Sequence, residues 1–337
     1  MVRVKDWLYS FIPMIFGNLY LWIYIFDLQF NSATIQLLFL SLVVSVGFAA
    51  IGYFINEFFD RSEDEKAGKR NVLTEKKAPY LVMLLSICSA LAFLPWFVLP
   101  LDRISIILIT IQVISFLIYS VKPLRLKKVF GISNLIDAAY AYVIPFALSS
   151  YTFYLFSNQI KFPTYLIFYL LLFAIVGFRN ILVHQIDDVF YDTAIKINTM
   201  PKKLGVKKTN NLLILLITLE FVLLNLFVFL LANRVTIYFI TLLIPVFSIT
   251  LSLFTKKKKM LSKFIVFFEI REGYNTLYQI WLPFIFIGFL LTNSIWWAVI
   301  IPFHLALFSN KKVLSKIYHT ARNSVSVLIN YYIYYLF

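Results

Sequence analysis

Apolar runs of about 20 residues, the length that crosses a bilayer as a helix, follow one another along this chain with short polar joints between them. They fall near 8 to 28, 35 to 58, 79 to 100, 103 to 121, 133 to 152, 163 to 185, 210 to 232, 235 to 254 and 275 to 292, with a shorter run at 295 to 308. The pattern predicts an all-α integral membrane protein of about nine transmembrane helices, ten if the last run also crosses. The first run, from Leu8, is long and followed by many others, so it reads as a spanning helix and not as a removable leader. The terminal SVSVLINYYIYYLF is short for a span and rich in Tyr, which suits the membrane interface.

Composition agrees with that reading. Of the 337 residues 61% are hydrophobic and 14% charged, and the mean hydropathy is +0.84, outside the range of soluble domains. No polar stretch exceeds roughly 25 residues, short of what an independent core needs. One membrane domain over 1–310 with a basic, Tyr-rich, interfacial tail over 311–337 is therefore expected. The single cysteine, Cys88, lies inside an apolar run; it excludes an intramolecular disulfide and reads as a small packing residue.

A net charge of +15 raises the question of nucleic acid. The basic residues, however, sit in short loops between apolar runs, where positive-inside topology accounts for them, and no nucleic-acid partner is expected. Loops 61–77, 122–128, 202–208 and 256–263 are rich in Lys and Arg, whereas 29–34 has none and 152–162 has only Lys161. The four basic loops are thus assigned to the cytoplasm, together with the N-terminus. The membrane expected is the inner membrane of a bacterial or archaeal cell, with lipid as its surroundings.

Against this apolar background two acidic clusters stand out, Asn56, Asp60 and Asp64 in NEFFDRSED and Asp188 and Asp192 in HQIDDVFYD. Each ends an apolar run, the second and the sixth, on the cytoplasmic side. Residues four apart share one face of a helix, here over about 12 Å of its axis. Oxygen ligands of this type suit Mg²⁺, which takes one or two carboxylates plus phosphate oxygens, so two facing clusters suggest two ions bridged by a diphosphate. The alternative is that these acids merely pair with nearby lysines; two clusters with matched spacing and topology weigh against it. Cations lie beside them: Lys69 and Arg70 after the first, Lys202 and Lys203 after the second, and Lys122, Arg125 and Lys127 in YSVKPLRLKK. Such groups bind phosphate oxygens and stabilise a departing diphosphate. Arg179, one turn or more before the second cluster in an apolar run, is expected as a salt-bridge partner or an anion ligand.

These residues carry a resemblance. NEFFDRSED resembles the N-x-x-x-D-x-x-x-D motif of the UbiA superfamily of intramembrane prenyltransferases, and DVFYDTAIKINTMPKKLG is similar to its second, D-x-x-x-D, motif. YSVKPLRLK resembles the Tyr-Ser-x-x-Pro-x-x-x-Lys stretch between the fourth and fifth helices. The three motifs stand in the family's order across about residues 8 to 310. The resemblance implies a nine-helix bundle around a central cavity open to lipid, and two Mg²⁺ ions holding an isoprenyl diphosphate. Asn56, Asp60, Asp64, Asp188 and Asp192 would be the metal-binding and catalytic residues, and Lys127, with Lys122 and Arg125 as neighbours, would face the diphosphate. Tyr140 and Tyr142 are accessory candidates for stabilising a carbocation through their ring faces.

The chain also departs from the family. Gln185 stands where many members carry an acid, an extra acid appears at Asp187, Asn71-Val72 replaces an Arg-Pro, and Lys196 replaces a Gly. His184 beside the cluster is a candidate base or substrate contact and more often a structural histidine. The function implied is Mg²⁺-dependent transfer of a prenyl group to a lipophilic, aromatic acceptor at the cytoplasmic face. A terpene cyclase would use the same site without an external acceptor, and 36 Phe and 21 Tyr serve either. A transporter would place its acids near the bilayer midplane, unlike here.

Overall fold

The computed structural model describes residues 11–66, 68, 70–189, 199–231 and 277–308, and among them there is no strand. Among the described residues nine helices follow in chain order: α1 (Ile12–Ile25), α2 (Ser32–Lys66), α3 (Ala78–Phe93), α4 (Arg103–Ser120), α5 (Ile132–Ser157), α6 (Leu166–Asp187), α7 (Met200–Leu231), α8 (Leu282–Asn293) and α9 (Ile300–Phe308). Short 3₁₀ turns extend α3 and precede α9, and a π turn, Leu277–Trp281, leads into α8. Six of these, α2 to α7, are long and apolar enough to cross a membrane, as the hydropathy pattern requires. The run at 235–254 and the tail 311–337 lie outside the described residues.

The helices gather into two compact units. The first holds α2 to α7. There α2 lies along α3, and Gly47 makes the crossing possible: a Cβ at that position would stand 2.3 Å from the Ala92 nitrogen. Without a hydrophobic drive between helices in lipid, close backbone approach through small residues is what gains packing energy. Gly177 does the same for α5 and α6, where a Cβ would meet Ala138 Cα at 2.9 Å and the Tyr142 ring at 2.7 Å. In the second unit α1 packs on α8, and the Tyr20 hydroxyl meets His304 Nδ1 of α9 at 3.3 Å among Phe16, Phe284 and Phe303.

Helix ends follow local chemistry. Asp102 caps α4: its Oδ1 accepts from the Ser105 N–H at 2.9 Å and the Ser105 hydroxyl at 3.0 Å, and its Oδ2 accepts from the Tyr151 hydroxyl at 2.7 Å. Burial works against the charged form, but these bonds hold the carboxyl below the usual aspartate range. Helix α2 continues two turns past its apolar run, to Lys66, so Asn56, Asp60 and Asp64 do share one uninterrupted helix. Helix α6 closes at Asp187 and Asp188 is its C-cap, its N–H bonded to the His184 carbonyl at 3.0 Å. Carboxylates at a helix C-terminus oppose the macrodipole, and here the apolar periodicity that would carry the helix further has ended. Gly205, with φ of +71°, breaks α7 into a short first piece and the long apolar remainder.

Inside α5 the turn Ala139–Val143 is π-helical. A π turn asks the carbonyl of Tyr140 for the N–H five residues on, which is Pro145 and has none. Gln112 of α4, buried, supplies the missing donor through Nε2 at 2.8 Å.

Candidate functional site

The first motif meets the basic loop at the end of α2. Asn56, Asp60 and Glu63 project from its last turns, and the segment after α4 folds back over them, its 3₁₀ turn Leu126–Lys128 pointing cations at the carboxylates. Asp60 Oδ1 accepts from Arg125 Nη2 at 2.9 Å and from Lys127 Nζ. Lys127 Nζ also reaches Asn56 Oδ1 at 3.4 Å, and Ser120 Oγ lies 3.5 Å from that oxygen. Glu63 Oε1 accepts from Arg125 Nη1 and from Lys128 Nζ at 2.7 Å. Four of the residues expected in the site are thereby brought together: Asn56, Asp60, Arg125 and Lys127.

Arg125 holds an unusual position. Its φ of +39° is left-handed, a conformation that costs a side-chain-bearing residue about 1–2 kcal/mol. Its side chain is 5% exposed, and its Nε has no hydrogen-bond partner among the described residues. The loop therefore accepts strain to aim a fork of donors between two carboxylates. Burial pushes the Lys127 ammonium below the usual lysine value, with the Asp60 charge opposing that shift.

Asp64 is tied differently. Asn71 Nδ2 donates to Asp64 Oδ2 and to the Glu57 carbonyl, both at 2.8 Å, while Asn71 Oδ1 accepts from the Leu73 N–H at 2.9 Å. The Val72 N–H reaches Glu57 Oε2 at 3.3 Å. The pair Asn71-Val72, a departure from the family pattern, thus folds the following segment against the first motif.

The second cluster is only partly within the described residues. Asp188 lies 3.7 Å from His184 Nε2, and His184 itself is exposed, as is Asp187. Gln185 points the other way, into a buried amide group with Ser133 and Asn134 of α5, and its Oε1 accepts from the Met200 N–H at 3.4 Å. It thereby joins α5, α6 and the start of α7. Asp192 and Lys69 lie outside the described residues. Arg70, Lys122, Lys202 and Lys203 are exposed, with Lys203 Nζ 5.1 Å from the Phe130 ring centroid.

Of the two roles expected for Arg179, the structure displays the salt bridge. Its Nε donates to Glu220 Oε2 at 2.7 Å and its Nη2 to Oε1 at 3.3 Å, with the two side chains 1% and 0% exposed. Nη1 donates to Asn180 Oδ1 at 3.0 Å, and Asn180 Nδ2 donates to the Tyr142 hydroxyl at 2.8 Å. Tyr142 is thus positioned by the ion pair through Asn180. Tyr140 belongs to another group: its hydroxyl donates to Asp137 Oδ1, and its ring lies 5.2 Å from those of Phe116 and Tyr119.

Sequence reasoning passed over Glu63, Glu220 and Asp137. Glu63 was visible inside NEFFDRSED but off the four-residue spacing. Glu220 and Asp137 are acids within apolar runs, a signal that by itself marks a residue for inspection.

Among the described residues no group of three or more His, Cys, Asp or Glu gathers to hold a metal ion. The donors at the first motif nevertheless suit a hard cation. The Lys127 ammonium marks a point on which an amide oxygen, Asn56 Oδ1, and a carboxylate oxygen, Asp60 Oδ1, converge. Mg²⁺ uses such an all-oxygen set, with one or two protein carboxylates and the remaining positions filled by phosphate and water.

Residues 10–272 match the model of the UbiA prenyltransferase family. No curated protein sequence matches the chain. Among solved structures, a UbiA homolog from Archaeoglobus fulgidus bound to GPP and Mg²⁺ has a TM-score of 0.57 at 18% identity, covering 92% of this chain and 98% of that one. The same homolog bound to DMAPP and Mg²⁺ has a TM-score of 0.57 at 17% identity, covering 86% and 97%. At such identity these likenesses speak for the fold, and it is the family match over most of the length that shows that the chain belongs to the UbiA prenyltransferase family.

Proposed function

We propose that the protein transfers a prenyl group from an isoprenyl diphosphate to a lipophilic, aromatic acceptor, with Mg²⁺, at the cytoplasmic end of its helices. The observation that carries this reading is the convergence of Asn56 and Asp60 with Arg125 and Lys127 at the end of α2. Oxygen donors for a hard cation and nitrogen donors for phosphate stand within one side-chain length of each other. The homologous structures were determined with GPP, DMAPP and Mg²⁺ bound, which supports the same donor class here.

Asn56 and Asp60, with Asp64, Asp188 and Asp192, are the residues that would hold two Mg²⁺ ions. When bound, Mg²⁺ supplies charge neutralisation to the diphosphate as it leaves. The chain's own groups do the rest. Arg125 and Lys127 exchange their bonds to Asp60 for phosphate oxygens, and Arg125 Nε is a further donor with no partner among the described residues to give up. Glu63 keeps Arg125 and Lys128 at the site while that exchange occurs. The allylic C–O bond breaks with its electron pair going to the diphosphate, and the acceptor supplies the pair for the new bond and loses a proton. The basic loops flanking this end of the helices support its cytoplasmic orientation.

The test is diphosphate release by the protein in lipid nanodiscs, with C10 to C20 prenyl diphosphates and Mg²⁺ or EDTA, with and without phenolic acceptors. Metal-dependent release that requires an acceptor is expected. Release with a hydrocarbon or terpene alcohol in the absence of acceptor would instead make the protein a cyclase, and no release under any condition would sink both.

A further inference from the structure

Asp137 is a carboxylate inside a membrane-spanning helix, and among the described residues no cation pairs with it. Its hydrogen-bonding comes from phenols: the Tyr140 hydroxyl donates to Oδ1, and the Tyr119 hydroxyl interacts with the same carboxyl. A carboxylate offers about four lone-pair positions, so two phenols leave acceptor capacity unused. Asp137 is half-buried, not sealed in the packing as Glu220 is.

Its place is set by the helices around the first motif. Tyr53, Asn56 and Asp60 lie at i, i+3 and i+7 on α2 and so share a face. Ser120 of α4 touches Asn56, and Tyr119 and Phe116 beside it carry the contact on to the Tyr140 ring. Asp137 is therefore linked to the Asn56 oxygen proposed for the metal through Ser120, Tyr119 and Tyr140, and lies about 8 Å along α5 from its first residue. The backbone here is also special. The π turn Ala139–Val143 carries Tyr140, π turns inside α-helices concentrate at functional sites, and Gln112, which satisfies the Tyr140 carbonyl, keeps a buried Oε1 without a partner among the described residues.

We propose that Asp137 and Tyr140, with Tyr119, form the acceptor subsite, and that it takes an uncharged, hydroxyl-bearing acceptor while excluding a carboxylated one. The hydroxyl donates to the free lone pairs of Asp137, the rings of Phe116, Tyr119 and Tyr140 cover an aromatic or isoprenoid body, and a second carboxylate placed there meets like charge in a medium of low dielectric. This inference rests on the transferase reading above.

A matched pair of acceptors tests it: 4-propylphenol and 3-(4-hydroxyphenyl)propanoate, which differ by one carboxylate. They are compared in nanodiscs for wild type, Asp137→Asn and Tyr140→Phe, with donor binding measured separately by titration with a prenyl thiolodiphosphate and Mg²⁺. Wild type is expected to use the phenol with a KM at least about tenfold lower than the carboxylate. Asp137→Asn should raise the phenol KM about tenfold, a charged hydrogen bond being worth that much, and narrow the discrimination, with kcat and thiolodiphosphate affinity little changed. Tyr140→Phe keeps the ring and should shift KM in the same direction by less, so the assignment remains testable if Asp137→Asn does not fold. Unchanged KM in the variants, a wild-type preference for the carboxylated acceptor, or loss of thiolodiphosphate affinity in Asp137→Asn would overturn the assignment while leaving the transferase intact. No metal-dependent release by wild type with any acceptor would overturn the transferase reading, and this assignment with it.

Discussion

Two arginines of the first unit meet carboxylates in opposite ways. Arg179 and Glu220 form a closed pair, two bonds between two side chains that are almost wholly buried. Arg125 shares itself between Asp60 and Glu63, each of which also takes a lysine, in a half-buried group of five charges. The buried pair spends both carboxylate oxygens and two guanidinium nitrogens on itself, the third nitrogen going to Asn180 beside it, and joins α6 to α7. An open group, in which Arg125, Asp60 and Glu63 each have two charged partners, loses little when one partner is exchanged for a phosphate oxygen or a metal ion. The difference separates a fastening from a site, although both began as the same residue types in the sequence.

The largest effect should come from opening the closed pair. Glu220→Ala leaves the Arg179 guanidinium buried without its counter-ion, a change that costs about 3–5 kcal/mol. Thermal unfolding in detergent should show the loss, and the double substitution Arg179→Met with Glu220→Leu should recover most of it. If Glu220→Ala unfolds like wild type, the pair is not a fastening. Asp60→Ala tests the other side. Removing a group that stabilises the developing charge lowers turnover by about 10²–10³-fold, while the unfolding temperature should stay close to wild type. Near-normal metal-dependent diphosphate release in Asp60→Ala would remove the first motif from the site.

This contrast also marks how far the sequence could be read. Hydropathy placed α2 to α7 because a bilayer fixes span length, and the motif spacing singled out Asn56, Asp60 and the loop cations because helical periodicity puts i and i+4 on one face. What it could not supply is pairing across the fold. Glu220 lies 41 residues from Arg179 and is identified as its partner only once α6 and α7 are packed. Glu63 falls off the motif's spacing, yet its position one turn from Asp60 is what lets one guanidinium bridge both. The end of α6 at Asp187 was equally hidden, since four-residue spacing looks the same in a continuous helix and in one that stops at its first acid.

Within the open group the charges should differ in what they do. Lys127→Ala removes a charged hydrogen bond from Asp60 and from the diphosphate proposed to replace it. Donor affinity should fall by about tenfold or more, since such bonds contribute about 1.5–3 kcal/mol. Product identity should not change. The readout is titration with the thiolodiphosphate beside product analysis, and an altered product with unaltered affinity would move Lys127 from the donor to the acceptor.

The smallest effect concerns the segment that departs from the family pattern. Asn71 donates one amide to both Asp64 and the Glu57 carbonyl, and its oxygen accepts from the Leu73 N–H, so a single side chain closes the turn after α2 and orients the last acid of the motif. Asn71→Ala should cost about 0.5–1.5 kcal/mol of stability for a lost neutral bond. If Asp64 contributes to metal binding, the same change should raise the Mg²⁺ concentration needed for half-maximal diphosphate release by a few-fold, with donor KM at saturating metal unchanged. Asn71→Asp separates the two roles. It preserves the acceptor for Leu73 but sets a second carboxylate against Asp64, so its stability should fall further than that of the alanine variant. Its metal requirement should move the other way, because two adjacent carboxylates attract a divalent ion more strongly than one. A metal requirement that follows stability in both variants would mean that Asn71 closes the turn and nothing more.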